Sequence, residues 1–173
     1  MDFINLINLN ELEFQSDEES VPHYNINSSK IKSKDLGAKK LFFDLKELLP
    51  GQLSCPYHYH SDNEEVFIII DGEVTLRQND KCKILKKGDL VFFTNSEKGA
   101  HQLFNHTNTT VKYLDLTTRF GTDICKYPDS KKINAGKGEI YKMKNRVDYY
   151  DGEEEIPDFW AKLENHKLNK ASQ

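Results

Sequence analysis

From Lys39 to about Thr118 the sequence alternates short β-rich runs with turn signals, and that alternation limits the chain to a narrow set of folds. The runs are Leu41–Leu45, Cys55–His60, Val66–Ile70, Val74–Gln78, Cys82–Leu85, Leu90–Phe93, His101–Asn105 and Val111–Thr117. Pro50-Gly51, Asp71-Gly72, Asn79-Asp80, Lys87-Gly88, Gly99 and Asn105–Asn108 separate them. Regularly spaced short strands with such breaks predict an all-β sandwich or barrel. Asp71-Gly72, set between VFIII and EVTLR, is the sharpest local signal. It suits a two-residue type I′ turn, which needs two positive φ values. That turn predicts a hairpin pairing Ile70 with Glu73, Ile69 with Val74, Phe67 with Leu76 and Glu65 with Gln78.

The flanks differ in character. Residues 1–38 form an N-terminal arm in which Phe3, Ile4, Leu6, Ile7, Leu9, Leu12 and Phe14 fit neither helical nor strand period cleanly. The arm is expected to hold short strands packed on the core or on a second subunit. Residues 119–173 form a polar C-terminal extension broken by Gly121, Gly136, Gly138 and Gly152. Within it Ile156, Phe159, Trp160 and Leu163 have helical spacing and predict one short amphipathic helix covering the barrel or a neighbour.

Composition removes several function classes. A chain of 173 residues suits one domain with tails, and 24 basic against 28 acidic residues leave a formal net charge of −4. A general nucleic-acid binder would be basic, so no nucleic-acid partner is expected, although an anionic small ligand needs only one local positive charge or a metal. No apolar run approaches the ~20 residues of a membrane helix, so no membrane association is expected. The start, Met1-Asp2-Phe3-Ile4-Asn5-Leu6, has no basic n-region or unbroken apolar stretch, and the expected location is the cytoplasm. Cys55, Cys82 and Cys125 are an odd set at irregular spacing, which predicts reduced thiols and neither a disulfide framework nor a zinc finger.

The chemistry is concentrated in Gly51–Glu65. In a strand, alternate side chains share a face. His58 and His60 then point one way, with Tyr57 and Tyr59 opposite, packing outside the barrel wall. Two imidazoles on one face can converge on an ion, though His-x-His alone is weak support. Here a carboxylate follows on the next strand and His101 sits on a later one. Under the hairpin register Glu65, Phe67, Ile69, Val74, Leu76 and Gln78 share one side, apolar except where Glu65 meets Gln78. A carboxylate at the end of an apolar face needs a partner, and a histidine-bound metal supplies one. Glu64 is the rival ligand, facing the other way. His101, Leu103 and Asn105 share an inward face by period two, which puts His106 outside. His23 and His166 fall in polar ends and are assigned to the surface.

These residues resemble a known family. Gly51…His58-x-His60-x4-Glu65-x6-Gly72 resembles the first motif of the cupin superfamily, and Gly88-Asp89-Leu90-Val91-Phe92-Phe93…His101-x3-Asn105 its second. The resemblance covers roughly residues 39–118. Six residues instead of five separate Gly51 from His58, and the segment before His101 is longer and lacks the usual proline. Tyr113–Thr118 and Asp123–Ser130 also look like a subgroup of small single-domain cupins often labelled sugar-phosphate isomerases. The resemblance implies a double-stranded β-helix (jelly-roll) barrel over residues 39–118, with N- and C-terminal extensions and a homodimer.

It also implies His58, His60, Glu65 and His101 as ligands of one divalent transition metal per chain. Such donors suit zinc, iron, manganese or nickel better than calcium or magnesium. The pocket is expected to be walled by Phe67, Ile69, Val74, Leu76, Leu103 and Phe92, with Gln78 and Asn105 as polar groups behind the ligands. The expected function is a metal-dependent enzyme acting on a small polar metabolite such as a sugar or sugar phosphate. A non-catalytic ligand-sensing module and an iron-dependent oxygenase are the alternatives, because the fold hosts several chemistries.

Overall fold

The structure is a computed structural model, and it describes residues 7–17, 21–136, 138–144, 147, 149 and 151. Residues Met1–Lys142 form one compact unit and Met143–Gln173 a second; the first carries every strand described below. The helix expected over Ile156–Leu163, and His166, lie outside the described residues.

The described residues contain no α-helix. Thirteen strands follow in order: β1 (Phe14–Asp17), β2 (Ile26–Ser29), β3 (Leu41–Leu48), β4 (Tyr59–His60), β5 (Glu65–Asp71), β6 (Glu73–Gln78), β7 (Lys81–Lys86), β8 (Leu90–Phe93), β9 (His101–Phe104), β10 (Val111–Thr118), β11 (Cys125–Tyr127), β12 (Lys132–Asn134) and β13 (Ile140–Lys142). One sheet has the order β1-β2-β3-β10-β5-β8. A three-stranded sheet, β7-β6-β9, and a four-stranded sheet, β13-β12-β11-β4, complete the fold. An isolated bridge between His58 and His101 joins β9 to the segment entering β4, so the two smaller sheets meet where the histidines lie. Of the predicted strand Cys55–His60, only Tyr59–His60 is regular strand.

The Asp71-Gly72 hairpin does not form. β5 already has β10 on one edge and β8 on the other, so it has no free ladder positions for β6. β6 pairs with β7 and β9 instead. Only Gly72 of the dipeptide has positive φ, at 85°, and the chain passes there from one sheet to another. A Cβ at Gly72 would lie 3.1 Å from Val111 Cγ2, a tight contact added to a backbone conformation that favours glycine. The predicted shared face survives for another reason. Glu65, Phe67 and Ile69 on β5, and Val74 and Leu76 on β6, are all buried, because the two sheets turn these rows toward a common core.

That core contains Leu48, Phe67, Ile69, Val74, Leu76, Leu85, Phe93, Leu103, Val111 and Tyr113. Phe93 belongs to it, whereas Phe92 is 49% exposed. Phe92 is therefore not a wall residue, because period two on β8 directs Phe93 inward and its neighbour outward.

Along β10 the buried alternation runs Val111, Tyr113, Asp115, Thr117. The inward row thus changes from apolar to polar along the strand. β5 does the same in reverse, and Thr117 pairs directly with Glu65. The polar ends of both strands coincide, which sets one end of the core apart for chemistry.

The N-terminal arm serves its own sheet. β1 and β2 extend the large sheet beside β3. Ile7, Leu9 and Leu12 line a 280 Å³ hollow with Phe43, Leu45 and Leu114, the outward row opposite the core-facing Asp44, Lys46 and Leu48.

Candidate metal centre

Glu65 starts β5, His60 ends β4, His101 starts β9, and His58 bridges to His101 through two backbone bonds, His101 N–H to His58 O at 2.9 Å and the reverse at 3.3 Å. Four residues from separate parts of the chain thereby converge at the polar end of the core. His58, Glu65 and His101 are all buried and offer ligand atoms within 4.8 Å of one another. His60 Nε2 lies 3.5 Å, and His101 Nε2 3.2 Å, from the same Glu65 oxygen, Oε2.

The outer nitrogens explain why the inner ones point inward. His58 Nδ1 lies 3.0 Å from Pro56 O, His101 Nδ1 2.9 Å from Gly99 O, and His60 Nδ1 2.5 Å from Asp123 Oδ2. Carbonyl and carboxylate oxygens only accept, so each Nδ1 donates and Nε2 is the ring atom left free to serve as a ligand. Such outer partners fix tautomer and orientation in histidine metal sites. Packing adds to this. Phe93 stacks on His101 with centroids 3.7 Å apart, Phe67 meets its edge at 5.1 Å, and Tyr127 lies over His58 at 5.9 Å. Gly99 is also required: a Cβ there would fall 2.0 Å from Thr94 O, inside the loop that carries the His101 partner.

Electrostatically the site is unsettled without a cation. Burial, and then His58, hold the His101 imidazole well below its usual range, so it is neutral. Burial, and then Asp115, raise the Glu65 carboxyl. Glu65 Oε2 and His101 Nε2 are both buried without a hydrogen-bond partner. Two acceptors 3.2 Å apart repel unless a proton or a cation joins them. The donor set and these orphaned atoms fit a metal ion, which His58, Glu65 and His101 could hold; the fit tells nothing of the ion's identity.

Sequence reasoning missed Asp123. It sits in a segment singled out only for family likeness, on a loop before β11, and nothing in its local spacing announces a partner 63 residues away. Partial burial would raise its carboxyl, but the bond to His60 and the backbone N–H groups of Asp62 and Asn63 hold it below the ordinary aspartate range. Asp123→Asn removes the charged partner of His60 while keeping its size. We expect metal affinity to fall by about 10- to 100-fold, read by competition with a chromophoric chelator.

Cys125 also enters the site. It pairs with His60 across β11 and β4, and its Sγ lies within 4.8 Å of donor nitrogens of His58 and His60. Burial raises its thiol to about 12 and that of Cys55 to about 11, which argues against either as a nucleophile.

The other expected polar groups are engaged elsewhere. The Asn105 amide donates to Leu48 O and Thr109 O and accepts from the Thr107 backbone and hydroxyl, so it staples a loop. Gln78 donates to Lys98 O at the surface. Tyr57 is buried beneath the Arg77 guanidinium, 3.9 Å from its ring. Leu76 and Leu103 are core residues beside Phe67 and Ile69. His106 is outside, bonded to Thr75 and near Glu73. His106→Ala should change stability by no more than about 0.5 kcal/mol and leave metal stoichiometry unchanged in elemental analysis.

A chamber of about 290 Å³ opens beside these ligands, lined by His60, Glu65, Asp115, Thr117, Arg119 and Asp123 among others. This all-β fold with its inward histidines and glutamate is of the cupin kind. Residues 45–117 match the cupin domain family model, and the described strands build the double-stranded β-helix fold that solved cupin structures share.

Solved structures share the fold. A protein from Acidithiobacillus ferrooxidans, described provisionally as a sugar phosphate isomerase, is 22% identical with a TM-score of 0.72, over 82% of this chain and 95% of its own. A cupin from Silicibacter pomeroyi, described as a sugar phosphate isomerase, is 20% identical with a TM-score of 0.67, over 84% and 98%. The polyketide cyclase RemF from Streptomyces resistomycificus is 15% identical with a TM-score of 0.55, over 90% and 95%. At these identities the likeness concerns the fold. No curated protein matches the sequence significantly.

Proposed function

We propose that this cupin is a metal-dependent enzyme acting on a small polar metabolite, a sugar or sugar phosphate, with one divalent transition metal per chain held by His58, His60, Glu65 and His101. The observation that carries this is the set of three imidazoles whose Nδ1 atoms are tied to outer oxygens, gathered around a buried carboxylate beside an open chamber. A bound divalent ion supplies Lewis-acid chemistry, polarising an oxygen of the metabolite.

The protein groups do the rest. Phe67 and Phe93 exclude water from one side of the His101 imidazole, against which both rings pack. Thr117 holds Glu65 through a 3.1 Å hydrogen bond to Oε1. Asp115 lines the chamber with its second oxygen on Lys46. The descriptions of the Acidithiobacillus and Silicibacter proteins support the substrate class.

The test is elemental analysis of protein purified without added metal, followed by NMR assay against phosphorylated and free sugars. About one metal per chain and chelator-sensitive interconversion are expected. Oxygen consumption without isomerisation would favour the oxygenase, and tight binding without turnover the sensing module. We further propose a homodimer. Leu90 and Phe92, exposed on the edge strand β8, favour it, and a monomer in sedimentation at micromolar concentration would refute it.

A further inference from the structure

The chamber is not isolated. Phe42 and Arg119 line it and also line a second hollow of about 440 Å³, so the two adjoin there. The linings differ sharply in charge. The chamber contains Glu65, Asp115 and Asp123, with Arg119 as its one cationic side chain among the described residues. The second hollow, a vestibule, is lined by Lys32, Lys34, Lys39, Lys46 and Arg119 against the single carboxylate Asp44. In a chain of net charge −4 this is a marked local reversal.

The cations are not equivalent. Lys32 is paired with Asp44 at 2.9 Å and Lys46 with Asp115 at 2.7 Å. Arg119, Lys39 and Lys34 have no carboxylate partner within 4.0 Å among the described residues. Arg119 and Lys39 are also the two that line a third hollow beside Asp123. Arg119 N–H donates at 2.7 Å to the carbonyl of Lys40, the residue that follows Lys39. The Arg119 guanidinium lies over the Phe42 ring at 5.1 Å, which limits where its fork can point.

We propose that Arg119 and Lys39 form an oxyanion clamp at the mouth of the chamber, binding the anionic end of a metabolite whose polar end reaches the metal ligands. This rests on the small-metabolite reading above and narrows it to anionic substrates. The fork of Arg119 suits bidentate contact with phosphate or carboxylate, and Lys39 adds a second point charge. The vestibule's surplus positive charge draws in anions that the acidic chamber would repel.

Calorimetry with inorganic phosphate and with malonate, each titrated into three full-length proteins, tests this. The proteins are the wild type, Arg119→Gln/Lys39→Gln, and Glu65→Gln. The wild type should bind at least one of the two anions saturably, and the preferred anion distinguishes a phosphate from a carboxylate substrate. The double variant, altered only at exposed positions, should melt as the wild type does, keep its metal content and lose affinity by about tenfold or more. Glu65→Gln should still bind the anion although its metal is lost, which separates failure of the clamp from failure of the metal reading. Equal anion affinity in the wild type and the double variant, or no saturable binding of either anion to the wild type, would overturn the proposal.

Discussion

Glu65→Gln is expected to shift two measured properties in opposite directions. Metal affinity should fall by at least the ~100-fold that loss of a single outer partner can reach, because the only anionic donor among the four residues disappears. The metal-free protein, however, should become more stable. In the wild type, Glu65 Oε2 faces the unprotonated His101 Nε2 at 3.2 Å, and neither atom has a hydrogen-bond partner. A glutamine places an N–H donor there and keeps an oxygen to accept from Thr117, which now bonds Oε1 at 3.1 Å. One repulsive contact becomes a hydrogen bond, a gain of about 1 kcal/mol. That corresponds to a rise of roughly 2–4 °C in melting temperature for a chain of this size. Elemental analysis reads the first effect and thermal melts in excess chelator the second. A variant that binds metal normally would remove Glu65 from the site. One that loses metal and also melts lower without it would mean that the carboxylate holds the apo fold together.

The contrast between Glu65 and Asp123 shows what local sequence can carry. Period-two alternation is a property of a few neighbouring residues. It agrees with the inward turn of Glu65 beside an exposed Glu64 and with the separation of His101 from His106, although the hairpin register that placed Glu65 does not form and His58 lies before the short regular strand Tyr59–His60. Pairing partners depend on distant sequence. The Asp71-Gly72 dipeptide has the composition of a hairpin, yet β5 is saturated on both edges by β8 and β10, and no local signal reveals that competition. Asp123 likewise reaches His60 only after β11 has been laid beside β4. The change from apolar to polar along β10 is visible as Val111-x-Tyr113-x-Asp115-x-Thr117. Its meaning emerges only when register places Thr117 against Glu65 and Asp115 beside Lys46. The family resemblance supplied the ligand set, while the ring orientations come from carbonyls at Pro56 and Gly99 that no side-chain motif encodes.

Lys46→Met should be among the most destabilising single changes in the chain, although the position reads as an ordinary strand lysine. β3 pairs with β10 so that Lys46 opposes Tyr113, and Asp44 opposes Asp115, on the core-facing side. Lys46 Nζ meets Asp115 Oδ2 at 2.7 Å, and the other Asp115 oxygen shares the single Thr117 hydroxyl proton with Glu65 Oε1, each at 3.1 Å. Burial alone would lower the ammonium, but Asp115 overrides it and holds Lys46 well above the usual lysine range. A lysine raised in the folded state contributes stability at every pH below its unfolded value of about 10.4. That contribution is lost only as pH rises through the higher folded value, so the effect of the variant should be flat across neutral pH.

Removing Lys46 strands a carboxylate that is 6% exposed. Breaking a fully buried pair costs about 3–5 kcal/mol. The Lys46 side chain retains 24% exposure, which points to the lower end, about 3 kcal/mol. Replacing both partners, as Lys46→Met/Asp115→Leu, leaves no orphaned charge, and Thr117 can still donate to Glu65. The double variant should therefore be more stable than Lys46→Met alone, with a coupling of about 2 kcal/mol between the sites. Urea unfolding of the wild type, both single variants and the double variant measures this. Additive single effects would mean that the 2.7 Å contact contributes no net attraction and that Lys46 stabilises β3 through its aliphatic packing.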